Sequence, residues 1–146
     1  MMKKDFVREW MSTDVITITP DLTLPEAHQI MINEEIRRLP VVDRDGRLVG
    51  IITIGDIRSA QPSPATSLSI WELNYLLSTL KVEKVMTAHP KTIHVDATIG
   101  EAARMMLEHR ISGLPVVDAE GHVLGIITES DIFSMVVMHE WGMEHA

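Results

Sequence analysis

The sequence predicts an α+β fold built from two copies of one small unit, each ordered strand, helix, strand, strand, helix. Three observations predict it. The first is self-similarity without a gap at an offset of 75 positions (Met11 to Met86): Met11, Thr17, Ile18, Asp21, Thr23, Glu26, Ala27, Met31 and Ile36 recur as Met86, Thr92, Ile93, Asp96, Thr98, Glu101, Ala102, Met106 and Ile111. The second is that Leu39-Pro40-Val41-Val42-Asp43 returns as Leu114-Pro115-Val116-Val117-Asp118, followed by Gly46 and Gly50 in one copy and Gly121 and Gly125 in the other. The third is a matched pair, Gly50-Ile51-Ile52-Thr53-Ile54-Gly55-Asp56 and Gly125-Ile126-Ile127-Thr128-Glu129-Ser130-Asp131. Each member runs from a β-branched strand into a helix start, with a hydroxyl at the turn and a carboxylate three residues on.

The elements follow in order. Residues 3–12 carry Phe6, Val7, Trp10 and Met11 at helical spacing, which predicts a short helix that caps the first repeat or packs on a partner. Residues 15–19 predict a strand. Thr23-Leu24-Pro25-Glu26 is a capping box that starts a helix through Glu34, with Leu24, Ala27, Ile30 and Met31 inward, and Thr98-Ile99-Gly100-Glu101 starts its twin. Strands at 39–42 and 48–52 are joined across Asp43-Arg44-Asp45-Gly46, where glycine supplies a positive φ, and Asp118-Ala119-Glu120-Gly121 serves the second copy.

Between the copies, 59–67 has the Pro and Ser content of a semi-stiff linker. A helix over 71–80 then places Leu73, Leu76, Leu77 and Leu80 in one stripe, read as core packing, with a partner-binding helix as the alternative. Phe133, Met135, Val136, Val137 and Met138 predict a last helix running to the terminus. The domain boundaries are thus an N-terminal helix at 1–9, repeat 1 at 10–59, linker and helix at 60–81, repeat 2 at 82–135, and a helix end and tail at 136–146. A unit of about 50 residues buries too little surface to stand alone, so the two should pack together.

Charge and composition narrow the function. The 146 residues contain 13 Lys and Arg against 21 Asp and Glu, a formal charge of −8. That balance disfavours generic binding to nucleic acid or to an anionic membrane, both of which need a basic face. Without cysteine there is neither a disulfide framework nor a Cys-based zinc site. No apolar run approaches the roughly 20 residues that span a bilayer. The start, Met1-Met2-Lys3-Lys4, lacks a following apolar segment and is not read as a secretory signal, so a cytoplasmic protein is expected. The seven histidines are scattered, His139 and His145 lack the i, i+4 spacing of a helical metal pair, and no metal is expected. The ten methionines are read as adaptable core.

On these residues the chain resembles a tandem pair of CBS domains, a ligand-sensing module. The carriers are Leu-Pro-Val-Val-Asp, the Gly-turn hairpin and Gly-x-x-Thr-x-x-Asp, each doubled at fixed spacing. The resemblance implies two repeats packed by pseudo-twofold symmetry with their sheets face to face, two clefts between them, and a homodimer. It also implies an adenine nucleotide or adenosyl ligand: AMP, ADP, ATP, S-adenosylmethionine, NAD or a cyclic dinucleotide. Asp56 and Asp131 would then accept from the ribose hydroxyls, and Thr53 and Thr128 would reach the phosphate. Because the family's clefts are built across the pair, Asp14, Ile16, Ile36, Arg37 and Arg38 would face Ile126, Thr128 and Asp131. The other cleft would combine His89, Lys91, Ile111, Ser112 and Gly113 with Ile51, Thr53 and Asp56. Arg37 and Arg38 can bind phosphate bidentately, whereas Ser112 and Gly113 cannot, so the two sites should be unequal.

A plainer reading competes. Thr-x-x-Asp is itself a capping box, and the same residues can close a helix start without binding anything. No nucleophile elbow, Walker loop or dinucleotide fingerprint is present, so neither an enzyme nor a catalytic cofactor is expected. The expected function is a free-standing regulatory sensor that signals by conformational change, with a regulated protein as a further partner. The alternative is a constitutive interaction and dimerisation module with vestigial clefts.

Overall fold

The computed structural model describes residues 5–60 and 69–142. The elements in chain order are α1 (Val7–Trp10), α2 (Leu24–Glu34), β1 (Arg38–Val42), β2 (Leu48–Thr53), α3 (Ile54–Ser59), α4 (Ile70–Thr79), a 3-10 turn (Val82–Lys84), β3 (Thr87–Ala88), β4 (Ile93–His94), α5 (Ile99–His109), β5 (Gly113–Val117), β6 (Val123–Thr128) and α6 (Glu129–Trp141). They fall into two compact units. The central unit is Ile16–Pro90, and the terminal unit joins Met1–Val15 to Lys91–Ala146.

In the central unit β1 and β2 form an antiparallel hairpin closed by Gly46 at φ 83°, and β3 pairs with the outer side of β2. Ile18 bridges to Val41 in parallel on the other side. The expected strand over 15–19 is reduced to that bridge, whose hydrogen bonds run from Ile18 N to Pro40 O and from Val42 N to Ile18 O. Helix α2 is capped by the Thr23 hydroxyl and buries Leu24, Ala27 and Met31 against Leu39, Val41, Ile52, Ile57 and Val82. Each of the Leu, Ile, Met and Val side chains among these stabilises the unit by about 1.5–3 kcal/mol before entropy is counted, and the Ala27 methyl by less.

The terminal unit repeats the plan. β4 runs parallel to β5, β5 and β6 form the hairpin closed by Gly121 at φ 87°, and Ser12 bridges to Ile126 on the outer side of β6. Its core joins Ile99, Ala102 and Met106 of α5 to Leu114, Val116 and Ile127, with fully buried Val7 from α1.

The outer strand of each sheet is the feature absent from the sequence reading. Residues 87–88, near the start of the second repeat, complete the first repeat's sheet; residue 12, near the start of the first repeat, completes the second's. For that reason the helix expected over 3–12 stops at Trp10: Met11 turns extended so that Ser12 exchanges two hydrogen bonds with Ile126. Residues 3–4 lie outside the described chain, as do most of the expected linker and the tail from 143 on, including His145.

Two further expectations change. The 71–80 helix forms, at Ile70–Thr79, and Leu77 and Leu80 lie partly buried, but Leu76 is half exposed and Trp71 and Tyr75 point outward. Leu76 therefore does not belong to an inward stripe. The last helix ends at Trp141, where Gly142 takes up a left-handed cap. Among the described residues no helix is long and apolar enough to cross a membrane.

Close approach explains both glycines that open the repeated seven-residue stretch. A Cβ on Gly125 would lie 2.5 Å from the backbone oxygen of Ser12, and one on Gly50 would run into the flexible thioether of Met86. Gly125→Ala should therefore cost about 1–3 kcal/mol, because backbone must move, and Gly50→Ala distinctly less, because a methionine can swing aside. Urea unfolding of the two variants measures the difference.

Candidate functional site

Within each unit the Gly-x-x-Thr-x-x-Asp stretch ends the hairpin's second strand and opens the following helix. In the central unit Thr53 is the N-cap of α3; its hydroxyl accepts from Asp56 N at 3.1 Å, and Asp56 Oδ2 accepts from Thr53 N at 2.9 Å. In the terminal unit Asp131 Oδ2 accepts from Thr128 N at 2.8 Å. There the Thr128 hydroxyl donates to the same carboxylate oxygen at 3.3 Å. The plainer reading is thus partly realised: both aspartates are positioned by helix capping, and in each it is Oδ2 that is engaged.

The segment before each Leu-Pro lies against its own repeat's turn. Arg38 is the register partner of Thr53, and Ile54 N donates to Arg37 O at 2.8 Å. Gly113 is the register partner of Thr128, and Glu129 N donates to Ser112 O at 3.0 Å. Both segments follow a left-handed helix cap, Glu35 in one and Arg110 in the other, after which Ile36 and Ile111 donate back to Met31 O and Met106 O. Ile16 packs on the central core, and Ile51, half buried, sits opposite Pro40. Ile126 holds the corresponding place on β6, opposite Pro115.

The structure therefore gathers Ile36, Arg37, Arg38, Ile51, Thr53 and Asp56 in one unit, and Ile111, Ser112, Gly113, Ile126, Thr128 and Asp131 in the other. His89, at φ 51° and exposed, flanks β2 through a bond to Val49 O. Asp14 and Lys91 are exposed, Asp14 just past the Ser12 bridge and Lys91 just ahead of β4. The facing of Arg37 and Arg38 towards Thr128 and Asp131 is an implication of the resemblance and not of these contacts. Sequence reasoning did not single out Glu129, although its amide ties the α6 start to Ser112; an acid at the first helical position was the available signal.

One group among the described residues could gather round a cation: Asp118, Glu120 and His122, whose ligand atoms lie within 4.8 Å of one another. Asp118 is already committed to the hairpin turn. Burial works against its charge, but the amides of His122 and Glu120 and the imidazole of His122 outweigh it, so its carboxyl titrates below the usual range. A depressed folded pKa contributes stability that is present above the ordinary carboxylate range and is lost as pH falls through the lowered value.

Two comparisons identify the family. The family model of the CBS domain matches twice, at residues 7–63 and 82–137. The chain belongs to the CBS domain family. A CBS domain-containing protein of Dictyostelium discoideum is 37% identical over 134 residues, covering 92% of each chain. The L-aspartate semialdehyde sulfurtransferase of Methanocaldococcus jannaschii is 35% identical, but the chain spans only 22% of its length. Among solved structures, the CBS domain pair of protein MJ0100 in complex with 5′-methylthioadenosine and S-adenosyl-L-methionine is 33% identical with a TM-score of 0.76, covering 92% of this chain and 97% of that one. CBSX2 in complex with AMP is 26% identical with a TM-score of 0.77, covering 93% and 98%.

The asymmetry of the two caps is measurable. Thr53→Ala should destabilise by about 1 kcal/mol, since it removes an acceptor for a helix amide, and Thr128→Ala by less, since its hydroxyl caps no amide. Thermal unfolding of both variants checks this. Asp118→Ala should flatten the loss of stability between neutral pH and about pH 3, followed by urea midpoints across that range.

Proposed function

We propose that this CBS pair is a regulatory sensor that binds adenosyl ligands, AMP, ADP, ATP or S-adenosylmethionine, at its two Thr-x-x-Asp turns and signals by conformational change. The observation that carries the reading is the doubled carboxylate. Asp56 and Asp131 are each fixed by a threonine amide through Oδ2, and Oδ1, which has no hydrogen-bond partner among the described residues, can accept from a ribose hydroxyl. Arg37 and Arg38 supply what a phosphate needs, and Ile16, Ile36, Ile51, Ile111 and Ile126 supply apolar surface for an adenine ring. The MJ0100 pair, which carries two adenosyl compounds, and CBSX2, which carries AMP, support the ligand class.

In this reading the chain catalyses nothing; the shared segment in the sulfurtransferase is a fifth of that enzyme, as expected of a sensor that is attached in some proteins and separate in others. It works as a homodimer in the cytoplasm on a regulated protein partner. The second reading, a constitutive interaction module, draws on the capping bonds, which by themselves account for Thr53 and Asp56.

Calorimetric titration with AMP and with S-adenosylmethionine decides between them. Asp56→Ala and Asp131→Ala should each weaken one site by about ten- to a hundredfold, the equivalent of about 1–3 kcal/mol for an acceptor lost to a ribose hydroxyl. The 2′-deoxy analogue should weaken binding comparably. Arg37→Ala with Arg38→Ala should weaken AMP more than S-adenosylmethionine, whose sulfonium needs no cation. Absence of heat with either ligand leaves the constitutive module.

A further inference from the structure

The N-terminal strap, residues 5–12, is fastened to the terminal unit at both ends. At its far end Ser12 and Ile126 exchange two hydrogen bonds, of 2.9 and 3.0 Å, two residues ahead of Thr128. At its near end the Asp5 carboxylate, only 11% exposed, lies 3.1 Å from His139 Nε2 and accepts from the Trp10 indole at 3.3 Å. Trp10 meets the His139 ring edge-on, with centroids 5.9 Å apart. A carboxylate so far removed from water is costly unless paired, which makes His139 and Trp10 its determinants.

Asp131 stands at the third position of α6 and His139 two turns later, roughly 12 Å along a rigid helix at 1.5 Å per residue. One helix therefore begins at a ligand turn and ends at the strap's anchor. The neighbouring charges are otherwise engaged: Arg8 pairs with Asp96, and Glu9 accepts from Phe6 N. Among the described residues the other repeat has no such anchor. Leu80 and Val85 take the places of Asp5 and Trp10 there, and both pack on the apolar core. The polar cluster is thus private to one half of the chain and is not a requirement of the fold.

We propose that α6 is a lever that couples ligand at the 128–131 turn to the seating of the N-terminal strap, with Asp5, Trp10 and His139 as its latch. The inference rests on the proposed binding role of Asp131. A ligand that favours one placement of Asp131 favours one placement of His139, and so the latched or the released strap. Linkage makes the effect reciprocal: whatever changes the latch changes ligand affinity by the same factor.

Amide hydrogen exchange on the full chain, with and without saturating AMP or S-adenosylmethionine, reads the strap through the amides of Val7, Met11 and Ser12, which bond to Ala97, Val7 and Ile126. The bound ligand should change their exchange by about fivefold or more, and Asp131→Ala should abolish the change. His139→Gln should speed strap exchange and shift affinity for the same ligand by a matching factor. Asp5→Asn serves as the second variant should His139→Gln disturb the α6 helix by circular dichroism. Calorimetry that shows a bound ligand while strap exchange is unaltered overturns the lever and leaves the binding site standing. So does a His139→Gln protein with a loosened strap and unchanged affinity. Failure of both AMP and S-adenosylmethionine to bind the wild-type chain overturns the site and the lever together.

Discussion

The exchange of outer strands is the constraint on which the rest of the structure depends. Each central hairpin strand, β2 or β6, needs a partner on its open edge, and in both repeats that partner comes from the first residues of the other repeat. An uncovered edge would present unpaired amides and carbonyls. Covering it with Ser12 or Thr87 brings Met11 over Gly125 and Met86 over Gly50. The glycine that opens each Thr-x-x-Asp stretch is therefore required by the neighbour strand. The Thr-x-x-Asp turn and the strand exchange are set by the same residues of β2 and β6.

Under the proposed function, the two turns let one set of atoms serve stability and recognition. A capping box asks for a hydroxyl and a carboxylate three residues apart; a ribose asks for a carboxylate held still at the mouth of a turn. Asp56 and Asp131 meet the first demand with one oxygen. The differing behaviour of Thr53 and Thr128 shows that the copies are not equivalent even where their sequences agree. Their fronts diverge further, arginines in one repeat and Ser112 with Gly113 in the other.

Much of this was legible in the sequence because it is local. The capping residues Thr23, Thr53 and Thr98, the helix start at Thr128, the turn glycines Gly46 and Gly121, and the inward positions Leu24, Ala27 and Met31 follow from period and spacing alone. What was not legible is long-range. Nothing in the pattern around Met11 says that it leaves its helix to lie along β6, and the only trace was a glycine at the point of contact, Gly125, whose partner could not be named. Leu76 was misplaced for the same reason: a stripe of leucines fixes a helix but not which of them finds a core. For the candidate site, the residue types were legible, and the register of Arg38 against Thr53 required coordinates.

The division of the chain into a continuous central unit and a split terminal unit bears on the order of assembly. Residues 16–90 contain all the strands and core of their unit, so this half can close from neighbouring chain as it emerges. The terminal unit must bring Ser12 to Ile126 from opposite ends of the chain, and the entropy of that closure falls only once the intervening half is compact. The strap that completes the last sheet is thus made before the rest of its unit and is the last part of that unit that can be seated.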